Sequence, residues 1–148
     1  MEYIIRHLEV QDLNQYINLL GQLTEIKYHT HEELVKRFEC TSKNSFHQII
    51  VIVNKNGELI GCATILIEPK FIRGMTYLAH VEDVCIDQLY RKKGYGKILI
   101  DYLVRIANDY DCYKISLNCN DANIRFYSNC GFVRNSNQMT RSLLKCQL

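Results

Sequence analysis

The sequence predicts an α/β (α+β) fold, one sheet with helices packed on it. Three observations carry that expectation. Apolar runs at Gln48–Val53 and Leu59–Ile67 flank Asn54-Lys55-Asn56-Gly57, the pattern of a β-hairpin. Asp12–Thr24 and Lys97–Tyr110 repeat apolar side chains at helical spacing. A chain of 148 residues, 47% hydrophobic and 23% charged, has the make-up of one globular domain, 1–148.

The elements follow in order. Tyr3–His7 reads as a strand. In Asp12–Thr24, Leu13, Tyr16, Ile17, Leu20 and Leu23 share one helical face. Thr30 and Glu33 fit a capping box, which opens a second helix, His31–Phe38. His29 and His31 therefore belong to a helix start rather than to a metal site. Lys43–Phe46 is a polar connector. The hairpin strands come next, and Pro69 ends the second of them. Leu78–Ile86 is a further strand, Lys97–Tyr110 a helix, Lys114–Asn118 a strand, Ala122–Cys130 a helix and Met139–Leu144 a last strand. The order β-α-α-β-β-β-α-β-α-β contains no repeat and no linker.

Composition narrows the function classes. A net charge of +2 gives no case for nucleic acid or an anionic membrane surface. No apolar run approaches the roughly 18 residues that span a bilayer. Met1-Glu2-Tyr3-Ile4-Ile5-Arg6 lacks a signal-peptide core, so a cytoplasmic protein is expected. The seven cysteines are odd in number, form no C-x-x-C and show no zinc spacing with histidine. They read as small buried hydrophobes in a reducing compartment, and no metal is expected.

The chemistry concentrates at Arg91-Lys92-Lys93-Gly94-Tyr95-Gly96. This basic loop follows the apolar Val84-Cys85-Ile86 and precedes a helix. Amides at a helix start point outward, the helix dipole favours an anion there, and glycine lets a ligand approach the backbone. The P-loop pattern is absent, because Ile98 stands where Ser or Thr is needed. The dinucleotide pattern is absent, because position 99 is Leu. R-x-x-G-x-G remains, and by itself it fits a phosphate cradle or an ordinary turn.

R-x-x-G-x-G after a strand resembles the acetyl-coenzyme A (acetyl-CoA) loop of the GNAT acetyltransferase superfamily. Asn123-Ile124-Arg125-Phe126-Tyr127, followed by Cys130-Gly131-Phe132, resembles that superfamily's second signature. His80-Val81-Glu82-Asp83-Val84, Cys112-Tyr113-Lys114-Ile115 and the pair Asn118-Cys119 resemble its glucosamine-6-phosphate N-acetyltransferase branch. The resemblance runs from about Tyr3 to Leu144 and is strongest from Lys70 to Phe132.

The resemblance implies a mixed, mostly antiparallel sheet in which two central parallel strands, Leu78–Ile86 and Lys114–Asn118, splay around acetyl-CoA. It assigns the coenzyme to Val84, Cys85, Ile86, Arg91, Lys92, Lys93, Gly94, Tyr95, Gly96, Lys97, Asn118, Asn123 and Tyr127. It assigns glucosamine 6-phosphate to Thr24, Lys70, Arg73, Glu82, Asp83, Tyr113, Lys114 and Arg141. It further implies a homodimer, with Arg141 reaching the partner's sugar, and a place in UDP-N-acetylglucosamine biosynthesis.

A thioester is already activated, so the task is to place an amine, take its proton, hold the oxyanion and manage the thiolate. Tyr127 is the candidate acid for the thiolate, and the Val84 amide the candidate oxyanion donor. Glu82 and Asp83 are candidates for holding the amine. Adjacent strand residues point to opposite faces, so both serve one substrate only if the strand bulges. Cys85 reads as a packing residue rather than a nucleophile. Lys and Arg suit a phosphate, by point and by bidentate contact respectively. Two departures stand out. Asn118 occupies a place where the family often has Asp, and Ser142 a place where it has Arg. Two other readings share the same residues: an acetyltransferase for a polyamine, a protein amine or an aminoglycoside, and a non-enzymatic CoA-binding module. The cations Lys70, Arg73 and Lys114 favour an anionic acceptor.

Overall fold

The computed structural model describes residues 2–143. Contacts group the chain into two compact units, Met1–Leu117 and Asn118–Leu148.

The first unit is built on a five-stranded sheet in the order β1-β2-β3-β4-β5. The strands are β1 (Tyr3–His7), β2 (His47–Asn54), β3 (Leu59–Pro69), β4 (Tyr77–Ile86) and β5 (Cys112–Leu117). Neighbours pair antiparallel except β4 and β5, which run parallel. The mixed, mostly antiparallel sheet expected from the sequence is therefore present. The hairpin forms at the expected place. The Asn54 side-chain oxygen accepts from the Asn56 and Glu58 amides, and Gly57 takes the left-handed φ of 81° that the turn needs.

Helices cover both faces. Helix α1 (Leu13–Leu20) and helix α2 (His31–Ser42) lie over one. Leu13, Tyr16 and Leu19 of α1 join Val51, Val53, Leu59, Cys62 and Cys85 in one buried cluster, and Leu34, Val35 and Phe38 of α2 pack against it. Helix α4 (Tyr95–Asp109) lies over the other face, contacting β3, β4 and β5. Its Leu99, Ile100 and Leu103 are fully buried. Burying each such side chain stabilises the fold by about 1.5–3 kcal/mol. The expected capping box opens α2: the Glu33 amide donates to Thr30 Oγ1, and the Thr30 amide donates to Glu33 Oε2 at 2.7 Å.

Helix α1 stops at Leu20, four residues before the expected end. Beyond Gly21, the Gln22 and Leu23 amides bond three residues back instead of four, so the last turn tightens. Between β3 and β4 sits α3 (Ile72–Met75), a single irregular turn with positive φ at Arg73, Gly74 and Met75.

The second unit holds a 3-10 turn, Asp121–Asn123, and α5 (Ile124–Asn129). The expected strand at Met139–Leu144 is not formed over residues 139–143, and Leu144 lies outside the described residues. The correction has a simple cause. A strand exists only when its backbone groups find a partner strand, and residues 139–143 are paired with none among the described residues. Met139 and Leu143 are 95% and 87% exposed.

Candidate active site

The basic loop is shaped by its backbone. The Leu89 amide donates to Asp87 Oδ1 at 2.8 Å, which starts the turn after β4. Arg91 Nε donates back to the Ile86 carbonyl at 2.9 Å and latches the loop to the strand end. Lys92 and Gly94 then take positive φ, 60° and 89°. A Cβ at position 94 would meet nothing within 4 Å, so conformation rather than space calls for glycine there. The first bond of α4 runs from the Ile98 amide to the Gly94 carbonyl at 3.2 Å. The amides of the turn before it belong to the outward-facing helix start.

The predicted loop residues divide by role. Tyr95 is 3% exposed and stacks edge-on against Tyr3 and Tyr90. Its side chain is a core anchor, so only its main chain is left for a ligand. Lys97 Nζ pairs with Asp101 at 2.6 Å on the surface of α4. Lys93 Nζ lies 5.2 Å over the Tyr90 ring. Lys92 is exposed at the rim, and Gly96 lies in the first turn of α4.

The end of β4 provides the next surface. Pairing with β5 stops at Val81↔Leu117, while β4 continues to Ile86. Within this unit no strand lies along the β5 side of Glu82–Ile86. Opposite, Cys62 pairs with Cys85 and Thr64 with Glu82, so Asp83 and Val84 face the single residue Ala63. This is the bulge that the two adjacent carboxylates require. Asp83 sits there at φ 51°, a strained value for a residue with a side chain. Glu82 and Asp83 are both exposed. Asp83 also lies close to α1. Burial first, then the charges of Cys62 and Asp83, push the Tyr16 phenol up, against its hydrogen bond to Thr64. Cys85 is buried and its thiol donates to the Leu19 carbonyl at 3.3 Å, which fixes it as a packing residue.

Register places a polar strip on the α1 side of the sheet. Opposite residues of paired strands share a face, so Thr64 goes with Glu82, Leu66 with His80, and His80 with Ser116. Along β3 this face passes from buried Thr64 to exposed Glu68. Lys70 Nζ donates to Glu68 Oε1 at 2.6 Å, and His80 Nε2 meets Glu68 Oε2 at 3.0 Å. Hydrogen bonds from Lys70 and then His80 hold the Glu68 carboxyl below the usual carboxylate range, and Glu68 in turn raises Lys70. Arg73 Cζ and Lys114 Nζ lie 5.8 and 5.7 Å from the centre of the Tyr113 ring, and Lys70 senses the same phenol. The structure thus gathers Lys70, Arg73, Tyr113 and Lys114, four of the residues expected around the sugar phosphate. Thr24 is exposed beyond α1. Its neighbour Gln22 ties that segment to the loop after β4 through Asp87 Oδ2 at 2.8 Å and the Gln88 amide at 2.9 Å.

In the second unit, Tyr127 packs edge-on to Phe126 and Phe132, with ring centres 4.9 and 5.9 Å away. Its carbonyl accepts from the Cys130 and Phe132 amides across Gly131, whose φ is 90°. The N-x-x-F-Y and G-F letters of the sequence are therefore one small structure. Burial, then Cys119 and Cys130, push the Tyr127 phenol up to about 12. Asn123 stands at the N-cap of α5, where its side chain makes no capping bond. Asn118 and Arg141 are exposed.

Comparison with known proteins places this arrangement. The sequence model of the acetyltransferase (GNAT) family matches residues 13–132. The chain belongs to the GNAT acetyltransferase family. GNAT acetyltransferases take acetyl-CoA as cosubstrate, and the loop before α4 fits the pyrophosphate of such a donor. Among curated relatives, the chain is 36% identical over 138 residues to glucosamine 6-phosphate N-acetyltransferase 1 of Dictyostelium discoideum, covering 91% of this chain and 87% of that one. It is 37% identical to the Arabidopsis thaliana glucosamine 6-phosphate N-acetyltransferase, covering 93% and 94%. The crystal structure of the Arabidopsis thaliana enzyme superposes with a TM-score of 0.91 at 36% identity, over 97% of this chain and 99% of that one.

Sequence reasoning missed Glu68, Ser116 and Gln22 in this GNAT chain, and read His80 only as a motif letter. Nothing local marks them. Strand register brings Glu68, His80 and Ser116 together from positions 12 and 36 apart, and the tightened turn after α1 brings Gln22 to Asp87 and Gln88. No helix among the described residues is long and apolar enough to cross a membrane.

Proposed function

We propose that this GNAT chain transfers the acetyl group of acetyl-CoA to the 2-amino group of D-glucosamine 6-phosphate. The products are N-acetylglucosamine 6-phosphate and CoA, a step of UDP-N-acetylglucosamine biosynthesis. The gathering of Lys70, Arg73 and Lys114 around Tyr113, at the edge of the strip that carries Glu82, supports this reading above all. A cationic acceptor such as a polyamine would meet repulsion there. The curated glucosamine 6-phosphate N-acetyltransferases that resemble this chain over about nine-tenths of its length support the reading independently.

The chemistry is direct attack. The pyrophosphate of acetyl-CoA lies against the loop Arg91–Lys97, with the pantetheine arm along the open edge of Val84–Ile86. The Val84 amide meets the developing oxyanion. Glu82 and Asp83, brought together by the bulge, hold the amine and draw off its proton. Tyr127, with its phenol raised to about 12, keeps its proton at neutral pH and gives it to the departing sulfur. Asn118 serves as a neutral hydrogen-bonding group toward the coenzyme. No covalent acetyl-enzyme is needed, and Cys85 has no part in one.

Both units act as one acetyltransferase domain, since the family match runs across both. The protein works as a cytoplasmic homodimer in which Arg141 contributes to the partner's sugar site. The exposed, strandless segment around Met139 supports that arrangement. Acceptor dependence tests the reading. Thiol release from acetyl-CoA is expected with glucosamine 6-phosphate and at most marginally with glucosamine, and equal turnover of the two sugars would remove the phosphate assignment.

A further inference from the structure

One carboxylate stands between the phosphate cations and a histidine. Glu68 spends one oxygen on Lys70, at 2.6 Å, and the other on His80 Nε2, at 3.0 Å. Across the ring, His80 Nδ1 meets Ser116 Oγ at 3.1 Å. The Ser116 hydroxyl has a second acceptor, the Ala79 carbonyl at 3.4 Å.

That second acceptor decides what the array can do. With a neutral ring, Ser116 donates to Nδ1, and Nε2–H donates to Glu68. With a charged ring, Nδ1–H donates to Ser116, whose own proton turns to Ala79, and Nε2–H still donates to Glu68. Every group keeps a partner in either state. Either charge state of the ring therefore leaves no polar atom of the array unmatched.

We propose that Glu68 is a resident counterion which Lys70 exchanges for the sugar phosphate, and that His80 takes one proton from solvent as the exchange occurs. The proposal rests on the reading in which Lys70 grips that phosphate. In the free protein Lys70 is neutralised by Glu68. An arriving dianion competes for the ammonium and leaves Glu68 with His80 alone, beside a second negative group. A proton on the imidazole restores the local balance. Only that proton moves, from water to a ring nitrogen, and no other bond is made or broken.

The surroundings of His80 are few. From β3 it faces Glu68, with Lys70 beyond, and from β5 Ser116, with Lys114 two residues earlier on the same face. On its own strand the flanking residues of that face are Leu78 and Glu82. The sign of the effect follows. Binding that takes up a proton weakens as pH rises, by up to roughly tenfold per pH unit for one full proton. A lysine pocket without this array would hold a fully ionised phosphate with little pH dependence above neutrality.

Calorimetry with glucose 6-phosphate, which carries the phosphate without the amine, isolates the exchange. Titrations near pH 7.5, in buffers of low and high ionisation enthalpy, count the protons taken up. The native chain is expected to take up about 0.5–1 proton per site. His80→Gln keeps a donor toward Glu68, and it is expected to abolish the uptake. Glu68→Gln is expected to abolish it too and to bind roughly two- to fivefold tighter, the worth of one exposed ion pair. Equal uptake in the native chain and His80→Gln, no uptake in the native chain, or unchanged affinity in Glu68→Gln would each overturn the exchange. Circular dichroism checks each fold, and if His80→Gln does not fold, Glu68→Gln decides with the same two readouts. Binding with no buffer-dependent heat would leave the phosphate reading standing and remove the switch. No binding of glucose 6-phosphate or glucosamine 6-phosphate would remove both.

Discussion

Tyr127 shows how one side chain is suited to the role proposed for it. Its ring is clamped by Phe126 and Phe132, and its phenol is raised to about 12 by burial and by the neighbouring Cys119 and Cys130. A phenol of that kind stays protonated at neutral pH and donates to a sulfur that is gaining charge. Tyr127→Phe keeps the aromatic clamp and removes only the donor. Turnover should fall by roughly 10²-fold or more, with the apparent affinity for acetyl-CoA little changed. Steady-state kinetics with both substrates varied provides the check, and an unaltered rate would assign the thiolate to another group. Asp83 is the second instructive residue. Its positive φ costs on the order of 1 kcal/mol, and the bulge that imposes it turns two neighbouring carboxylates toward solvent.

Between elements, a part-buried ion pair ties β1 to the start of α1. Asp12 is 2% exposed and accepts from Arg6 at 2.6 and 3.0 Å and from the Glu9 amide at 2.8 Å. Burial alone would raise the Asp12 carboxyl, but Arg6 and the Glu9 amide hold it below its ordinary value. A depressed carboxyl contributes stability that is present above the unfolded value of about 3.9 and is lost as pH falls through the folded one. Asp12→Ala removes the carboxylate that Arg6 and the Glu9 amide share, while Arg6 keeps its bond to the His7 carbonyl. It should cost about 2–4 kcal/mol, and melting should fall by roughly 8–15 °C near pH 7. Thermal denaturation at pH 7 and pH 3 tests both points: the gap between native and variant chains should narrow in acid. The turn into α4 is held differently. No side chain caps it, and Gly94 supplies the left-handed step that leaves the helix start open to an anion.

At the scale of the whole molecule, the two faces of the sheet divide the labour. Helix α4 seals one with Leu99, Ile100, Leu103 and Ala107. Helices α1 and α2 seal the other only in part, leaving the strip from Glu68 to Ser116 open. The homodimer proposed above should scatter light as twice 17.4 kDa. Arg141→Ala should lower sugar affinity without changing that mass. Mixed dimers of Arg141→Ala with Glu82→Ala chains should regain part of the activity, because one of the two shared sites is then whole. A monomeric mass with full activity would confine the sugar site to a single chain.

Hydrophobic pattern and turn chemistry are local, so the sequence by itself determined five of the strands and four of the helices, the hairpin, the α2 capping box and the mixed α/β class, but not the irregular turn Ile72–Met75. The letters R-x-x-G-x-G, H-V-E-D-V and N-x-x-F-Y also determined the family, because ligand-shaped turns need particular residues at particular spacings. Tertiary structure decided what depends on distant partners. Met139–Leu143 has strand-like letters yet pairs with no strand among the described residues. Tyr95 sits in the coenzyme motif, but its ring anchors the core. Glu68, His80 and Ser116 lie on three strands, and only their register sets them in one row. The physical reason is common to all of these. Backbone preference acts over a few residues, whereas hydrogen bonds and charges act between whatever folding brings within about 3 Å.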